Sequence, residues 1–271
     1  MLLEVQGGVM PKIKANNINM YYEITGAGDP LVFIHGLGSS TRDWEEQIPV
    51  FSKEYKCITL DMRGHGRTDK PNEQYKIPQF AKDVAELLKA LNVSNTYVVG
   101  LSMGGATGFH LAISYPDLVK KLIVTNMSAA VPYKSFADKK MFFIRLLIVK
   151  LLGMKKMGKV IASKLFVKQD EHNDKCREKM ATRWAENNSR AYLSSLKALK
   201  NWTVMEELHK IKCPTLIIHS DEDYSPLEHK KYYTSLIPKG ELIIVNDARH
   251  ALPMEKPEEY NKILAEYLKR K

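Results

Sequence analysis

Gly100-Leu101-Ser102-Met103-Gly104 is the stretch from which both the fold and the chemistry of this sequence can be predicted. A serine between two glycines can be held on a turn too tight for larger neighbours, and such a turn presents its hydroxyl as a nucleophile. The run 96–99 before it is β-branched and aromatic, as in a buried strand, whereas 105–115 has the length and spacing of a helix. The pattern therefore predicts a strand, a sharp turn that carries Ser102, and a helix.

A serine nucleophile needs a base that accepts its proton and an acid that orients the base. Asp223 follows the apolar run 215–219 and lies in the loop at that strand's carboxyl end, where ligands collect in parallel sheets. His250 follows the apolar run 242–245 and a short loop, so it arrives at the same edge. We therefore predict that Ser102, Asp223 and His250 form a catalytic triad.

Acyl transfer also requires backbone N–H groups that stabilise an oxyanion. Met103 supplies one at the start of the predicted helix, where unpaired donors and the helix dipole favour negative charge. The loop 35–38, His-Gly-Leu-Gly, follows the apolar run 31–34, and its glycines let the backbone approach a ligand closely. We expect the N–H of Leu37 to be the second donor.

Strand and helix patterns alternate over most of the chain, which predicts a mostly parallel sheet covered by helices on both faces. The segment 18–25 alternates more and precedes a turn rich in Gly and Pro, so it is predicted to be an antiparallel lead-in. The other predicted strands are 57–61, 96–101, 120–125, 214–219 and 241–245, and the predicted helices are 78–91, 104–115, 226–236 and 256–269.

Strand patterns are absent between residues 132 and 206, where the sequence is helical and rich in Lys and Met. We predict that 132–206 is an inserted helical cap and that 1–131 and 207–271 form the core. Some apolar residues of the cap are expected to line a substrate cavity, which would favour apolar substrates because an unpaired charge is costly to bury. The candidates for substrate binding are Met141, Phe142, Phe143, Leu146 and Leu147.

The chain resembles the α/β-hydrolase superfamily, in particular cofactor-free esterases and lactonases with a helical cap. The segments that carry the resemblance are HGLGSS at 35–40, LDMRGHGRTDKP at 60–71, GLSMGG at 100–105, HSDEDYSP at 219–226 and ARHALPMEKPEEY at 248–260. The order Ser, Asp, His is that of this family and differs from chymotrypsin and subtilisin. The family's acid usually stands three residues after a glycine. Ser220 takes that place here, which favours Asp223 over Asp221. Some relatives carry the acid after the sixth strand, near which this chain has Asn126.

The resemblance implies a serine hydrolase that cleaves carboxylic esters of small to medium apolar substrates through an acyl-enzyme. The same triad also supports opening of a lactone such as an enol-lactone, acyl transfer to peroxide or an amine, and cleavage of a carbon–carbon bond. Halide displacement and epoxide opening are disfavoured because they use a carboxylate in the place of Ser102. A small-ligand receptor of the same shape is the alternative outside enzymes.

Other charged residues near these motifs are expected to be structural. In the family, the loop that holds Asp61, Arg63 and His65 braces the rim of the active site. We expect His35 to form hydrogen bonds within its loop and His219 to pack at a strand end. The remaining histidines lack the spacing of metal ligands, and no HExxH or CxxC pair accompanies them. Neither a metal nor another cofactor is expected.

The charge of the chain is concentrated in the predicted cap. The formal net charge of the 271 residues is +10, and ten Lys or Arg stand against one acidic residue in 134–168. Projecting the basic residues between 139 and 156 at 100° per residue scatters them around the helix axis, so membrane contact is not expected. Binding to nucleic acid is not expected either, because no recognition motif accompanies the charge.

Three cysteines give no indication of a disulfide framework. The first residues lack the basic and apolar regions of a secretory signal, and no run of about 20 apolar residues exists. We therefore expect a cytoplasmic protein, monomeric or homodimeric, that acts on a small-molecule ester or lactone. Met10-Pro11-Lys12 resembles the usual start of the family, which makes 1–9 a candidate for an unstructured extension.

Overall fold

The computed structural model describes residues 11–133 and 135–270, so the proposed extension 1–9 lies outside the described residues. The strands are β1 (Lys12–Ala15), β2 (Ile18–Thr25), β3 (Asp29–Ile34), β4 (Tyr55–Leu60), β5 (Thr96–Leu101), β6 (Val119–Thr125), β7 (Thr215–Ser220) and β8 (Gly240–Val245). The helices are α1 (Ile48–Phe51), α2 (Ile77–Ala90), α3 (Met103–Ser114), α4 (Phe136–Leu165), α5 (Glu171–Ala185), α6 (Ser189–Leu199), α7 (Leu227–Ser235), α8 (Leu252–Glu255) and α9 (Pro257–Lys269). Short 3-10 helices cover Thr41–Trp44, Pro116–Leu118 and Met205–Lys210.

The strands form one sheet in the order β1-β2-β4-β3-β5-β6-β7-β8. Strand β2 is antiparallel to both β1 and β4, which confirms the predicted antiparallel lead-in, and the pairs from β4 to β8 are parallel. The other predicted strands and helices lie within two residues of the observed bounds. Because β5, β6, β7 and β8 are parallel, the residues that follow them meet at one edge of the sheet.

Alternate residues of the central strands enter two different hydrophobic cores. Val32 and Ile34 of β3 pack in the core that includes residues of α2 and α3, whereas Leu31 and Phe33 pack in the core that includes residues of α9. Side chains of successive strand residues point to opposite faces, so both faces of the sheet are covered. This confirms the predicted fold class, a mostly parallel sheet between helical layers with an inserted helical segment.

The chain enters and leaves the inserted helices α4, α5 and α6 through two segments that are hydrogen-bonded to each other. Ala130 and Thr203 form an antiparallel bridge there, and the N–H of Val131 donates to the carbonyl of Trp202 at 2.8 Å. Helix α4 is broken at Gly153, whose φ of 73° suits glycine and separates the helical segments 136–152 and 154–165. No helix in the described ranges is long and apolar enough to cross a bilayer.

Candidate active site

Ser102 occupies a strained turn between β5 and α3. Its φ of 52° and ψ of −119° are unusual for a residue with a side chain, and its hydroxyl does not cap the helix that follows. The turn is possible because its neighbours are small. A Cβ on Gly104 would overlap the carbonyl oxygen of Ile34, and a Cβ on Gly100 would lie 2.6 Å from the nitrogen of Gly105. The chain therefore presents the Ser102 hydroxyl away from the backbone that supports it.

The loop after β3 lies directly against this turn. A Cβ on Gly36 would lie 3.5 Å from Cβ of Ser102, so this loop and the serine are in contact distance. Leu37 in that loop and Met103 after the serine are both buried. No acceptor for the N–H of either residue is found within 11–133 and 135–270. An oxyanion is stabilised by N–H donors that have no other acceptor, and the donor roles of Leu37 and Met103 stay predictions.

Asp223 and His250 form the tightest polar contact of the site. Nδ1 of His250 lies 2.6 Å from Oδ1 of Asp223, and the hydroxyl of Ser225 donates to Oδ2 at 3.2 Å. The Asp223 side chain is only 2% exposed. Burial raises the pKa of Asp223, but the charge and hydrogen bond of His250 together with Lys230 outweigh it and lower the pKa below its usual value. The carboxylate is therefore held charged against the imidazole.

The sequence predicts three convergent residues, and the structure places them at one sheet edge. The N–H of Ser102 donates to the carbonyl of Thr125 at 2.9 Å. Asn126 follows Thr125, and its side-chain Nδ2 donates to the carbonyl of His250 at 3.1 Å. Two hydrogen bonds through residues 125 and 126 therefore connect the backbone of Ser102 to that of His250. No side-chain hydrogen bond of the Ser102 hydroxyl is found in the described part of the chain, so the third contact of a triad stays a prediction.

Asn126 is a site residue that the sequence did not identify. Its Nδ2 donates to the hydroxyl of Ser220 and to the carbonyls of Arg249 and His250, and its Oδ1 accepts the N–H of Ser220. The side chain is buried and joins the ends of β6 and β7 to the loop that carries the imidazole. The sequence drew attention to Asn126 only because some relatives carry the acid of the triad after the sixth strand. Nothing in the sequence indicated that an amide at this place would hold the loop of His250.

Lys230 and Tyr224 were also missed. Lys230 on α7 has no exposed surface, and its Nζ lies 3.8 Å from Oδ2 of Asp223 while donating to the carbonyl of Met127 at 2.7 Å. Burial lowers the pKa of Lys230 to about 8, although the charge of Asp223 acts in the opposite direction. The ring of Tyr224 lies 4.7 Å from the imidazole of His250. The imidazole is therefore bounded by an acid, an aromatic ring and, behind the acid, a cation.

The inserted helices contribute aromatic rings and one cation to the space above these groups. Trp184 lies against Gly38 of the loop after β3, and its ring is 5.6 Å from that of Tyr192. The Tyr192 hydroxyl is buried without a partner in the described structure. Burial raises the pKa of both Tyr192 and Tyr224, and the charge of Arg145 opposes that rise in each case. Arg145 therefore places a positive charge near Tyr192 and Tyr224.

The five predicted substrate-binding residues of the cap divide by exposure. Phe142 and Leu146 are half-buried, and the ring of Phe142 lies 5.4 Å from that of Tyr133. Met141, Phe143 and Leu147 are exposed. A role in substrate binding stays a prediction for all five.

The charged residues at the rim have the structural contacts that we expected. The carboxylate of Asp61 accepts the N–H groups of Thr41 and Arg67, which ties two loops together. The ring of His35 accepts the N–H of Met62, and burial lowers the pKa of His35 to about 4 and that of His65 to about 3. Both rings are therefore neutral and act as fixed parts of the rim.

The described cysteines are free thiols. Within 11–133 and 135–270, no group of three or more His, Cys, Asp or Glu side chains is arranged to hold a metal ion.

The chain is similar to known proteins both in sequence and in fold. A family described as alpha/beta hydrolase fold matches residues 29–257. The chain is 28% identical over 262 residues to 3-oxoadipate enol-lactonase 2 of Acinetobacter baylyi, covering 95% of this chain and 96% of that one. It is 27% identical over 272 residues to 2-hydroxy-6-oxo-6-(2'-aminophenyl)hexa-2,4-dienoic acid hydrolase of Metapseudomonas resinovorans, covering 96% and 90%. The enol-lactonase structure from Burkholderia xenovorans LB400 has a similar fold, with a TM-score of 0.88, 22% identity and coverage of 96% and 100%.

Proposed function

The chain belongs to the α/β-hydrolase family, and on that premise we propose that it is a serine hydrolase that cleaves carboxylic esters through an acyl-enzyme. The observation that carries the proposal is the 2.6 Å contact between Asp223 and His250 at the sheet edge where Ser102 stands on its strained turn. A buried carboxylate that orients an imidazole, at the sheet edge that also carries a serine on a tight turn, supports the activation of that serine as a nucleophile.

In the first half-reaction, His250 accepts the proton of the Ser102 hydroxyl as its oxygen attacks the ester carbonyl. The carbonyl oxygen becomes an oxyanion, which the N–H groups of Leu37 and Met103 stabilise. The tetrahedral intermediate collapses as His250 returns the proton to the leaving alcohol. An acyl group is then bound to Ser102.

In the second half-reaction, His250 removes a proton from water as the water oxygen attacks the acyl carbonyl. The tetrahedral intermediate then collapses as His250 returns that proton to the Ser102 oxygen, which releases the carboxylic acid and restores the hydroxyl. Asp223 keeps the imidazole in the orientation that both steps need and stabilises its charged form. The lowered pKa of Asp223 supports this role because the acid stays ionised while the imidazole gains and loses its proton.

The surroundings of the site favour an apolar acyl or alcohol group of small to medium size. Phe142 and Leu146 are the predicted cap residues that are half-buried, and Trp184 lies against the loop that holds Leu37. Arg145 adds a positive charge beside this apolar surface, which would suit a substrate that carries a carboxylate at its far end.

Lactone opening is the second candidate. The specific observation that favours it is that enol-lactonases occur both among the sequence relatives and among the similar structures. The chemistry is the same, since a lactone is a cyclic ester whose leaving alcohol stays attached to the product. The discriminating property is therefore the substrate and not the catalytic group.

The test is a kinetic panel of p-nitrophenyl esters of increasing chain length beside lactones with and without a carboxylate. The Ser102→Ala variant should lose at least about 10⁴-fold in kcat/KM, and Ser94→Ala, an exposed serine far from the sheet edge, should match the wild type. Both variants should melt at the wild-type temperature. Near-wild-type turnover by Ser102→Ala would exclude the mechanism. Tight ligand binding without turnover in the wild type would favour a receptor.

A further inference from the structure

The segment 136–152 of α4 carries an unusual concentration of exposed apolar side chains. Thirteen large hydrophobic side chains are exposed in the described structure, and seven of them belong to this segment. The seven are Phe136, Met141, Phe143, Ile144, Leu147, Leu151 and Leu152. Phe136 and Leu151 expose 82% and 75% of their surface. Single exposed hydrophobic side chains are common on protein surfaces, but a cluster of them on one helix is typical of an interaction site.

Four of these side chains form a stripe along the helix. Positions 136, 143, 147 and 151 are separated by seven, four and four residues, so they share one face of a helix with 3.6 residues per turn. The opposite side of the segment faces the protein, since Val149 is buried and Phe142 packs on Tyr133. The stripe therefore lies on the side of the helix opposite to Val149 and Phe142.

The exposed face is basic as well as apolar. Lys139, Lys140 and Lys150 are exposed on the same segment, and the positions 139, 143, 147 and 150 follow one another along one side of the helix. No ion pair of these three lysines is found in the part of the chain that the structure describes. Ten basic residues against one acidic residue in 134–168 give the whole region a positive potential.

The projection of the sequence scattered the basic residues because it treated 139–156 as one continuous helix. Gly153 interrupts that helix, so Lys155 and Lys156 belong to a different segment and do not share the axis of 136–152. Arg145 is half-buried and lies near Tyr192 and Tyr224, on the inner side. The three lysines that remain lie beside the apolar stripe.

We propose that residues 136–152 form a docking surface for an anionic lipid bilayer. The helix lies in the plane of the membrane surface, its apolar stripe enters the boundary between headgroups and acyl chains, and Lys139, Lys140 and Lys150 contact lipid phosphates. The charge decides the occupant: an apolar partner surface would not need unpaired lysines beside the stripe, whereas an anionic bilayer satisfies both features at once. The proposal is independent of the catalytic one.

The test is cosedimentation of the full chain with vesicles of phosphatidylcholine alone and with 30 mol% phosphatidylglycerol. Binding is expected with phosphatidylglycerol and should weaken at least tenfold without it or in high salt, because screening removes the attraction. Phe136→Ser/Leu151→Ser and Lys140→Gln/Lys150→Gln should each weaken binding at least tenfold. Val50→Ser/Ile244→Ser removes exposed apolar side chains elsewhere and should bind like the wild type.

Circular dichroism and p-nitrophenyl acetate turnover should be equal for all these variants, which would show that they are folded. Equal binding to both vesicle types, or no binding to either, would overturn the proposal. The proposal would also be overturned if the wild type does not bind vesicles but forms a dimer in sedimentation velocity, and Phe136→Ser/Leu151→Ser dissociates that dimer. The stripe would then be assigned to contact with a second copy of the chain.

Discussion

Lys230 lies directly behind Asp223, with its Nζ 3.8 Å from Oδ2 of the carboxylate and no surface exposed to solvent. The same Nζ donates to the carbonyl of Met127, which also accepts the hydroxyl of Tyr233 at 2.7 Å. A buried cation next to the acid that orients the imidazole changes the charge of the whole group. The Asp223–His250 pair therefore works in the field of a third charge.

Replacing Lys230 by Met should change how kcat/KM depends on pH. The lysine offsets part of the negative charge of Asp223 and helps to keep its pKa low, so its removal should raise the pKa of that carboxyl. On the acidic side of the kcat/KM profile, activity should therefore be lost at a higher pH than in the wild type. Lys231→Met is the matched control, since Lys231 is exposed and pairs with Glu228. Superimposable profiles for Lys230→Met and the wild type would contradict the role.

The same residue should make stability depend on pH in the alkaline range. Lys230 has a pKa of about 8 in the folded chain and its ordinary value of 10.5 when unfolded, so the unfolded chain binds more protons between these values. The contribution to the free energy of unfolding therefore rises with pH in that window. Between pH 7.5 and 10, the wild type should gain roughly 2 kcal/mol relative to Lys230→Met. Urea unfolding at both pH values measures this gain. The difference in unfolding free energy between the wild type and Lys231→Met should not change with pH, because that variant keeps Lys230.

The glycines around the serine should differ sharply in their tolerance of a methyl group. A Cβ on Gly104 would overlap the carbonyl of Ile34 and lie 2.8 Å from that of His35, whereas a Cβ on Gly36 would lie 3.5 Å from its nearest neighbour. Gly104→Ala should cost more than about 3 kcal/mol of unfolding free energy, and Gly36→Ala less than about 1 kcal/mol. Thermal melts followed by circular dichroism compare them. Similar losses would mean that the turn can relax.

The sequence predicts the parts of the site that depend on local order along the chain. Ser102, Asp223 and His250 each follow an apolar strand, and parallel strands bring the residues after them to one edge. Asn126 and Lys230 could not be found in this way. Asn126 contacts residues 94 and 124 positions away, and Lys230 stands next to the exposed Lys231 with nothing local to distinguish them. Their roles follow from packing between distant segments.

The cap is a second part of the structure that the sequence predicts only in part. Its helical character follows from composition and length, but the face that it exposes depends on Gly153, which interrupts the helical period. Met141, Phe143 and Leu147 are predicted to line the cavity because they are apolar, and the structure leaves these three side chains exposed. Burial of a helix face is decided by which neighbour it meets, and the sequence of the helix does not contain that neighbour.

Asn126 should act as a positioning residue for His250. Its side chain holds the carbonyls of Arg249 and His250 and the backbone of Ser220, so Asn126→Ala frees the loop that carries the imidazole. We expect kcat to fall about 10- to 100-fold with KM within about threefold, because the imidazole is misplaced for proton transfer while the cavity is unchanged. The loss of several buried hydrogen bonds should also cost about 2–4 kcal/mol of stability.

Asn92→Ala is the control for the backbone part of this effect. Asn92 has a φ of 54°, close to the 50° of Asn126, but it is exposed at the end of α2 and far from the site. Its replacement therefore measures the cost of alanine at positive φ alone, which should leave kcat at the wild-type value. The rate at which a fluorophosphonate labels Ser102 separates positioning from general destabilisation, since labelling also needs the base. In Asn126→Ala, the labelling rate should fall by about the same factor as kcat. Wild-type labelling and kcat in that variant would show that Asn126 serves the fold and not the imidazole.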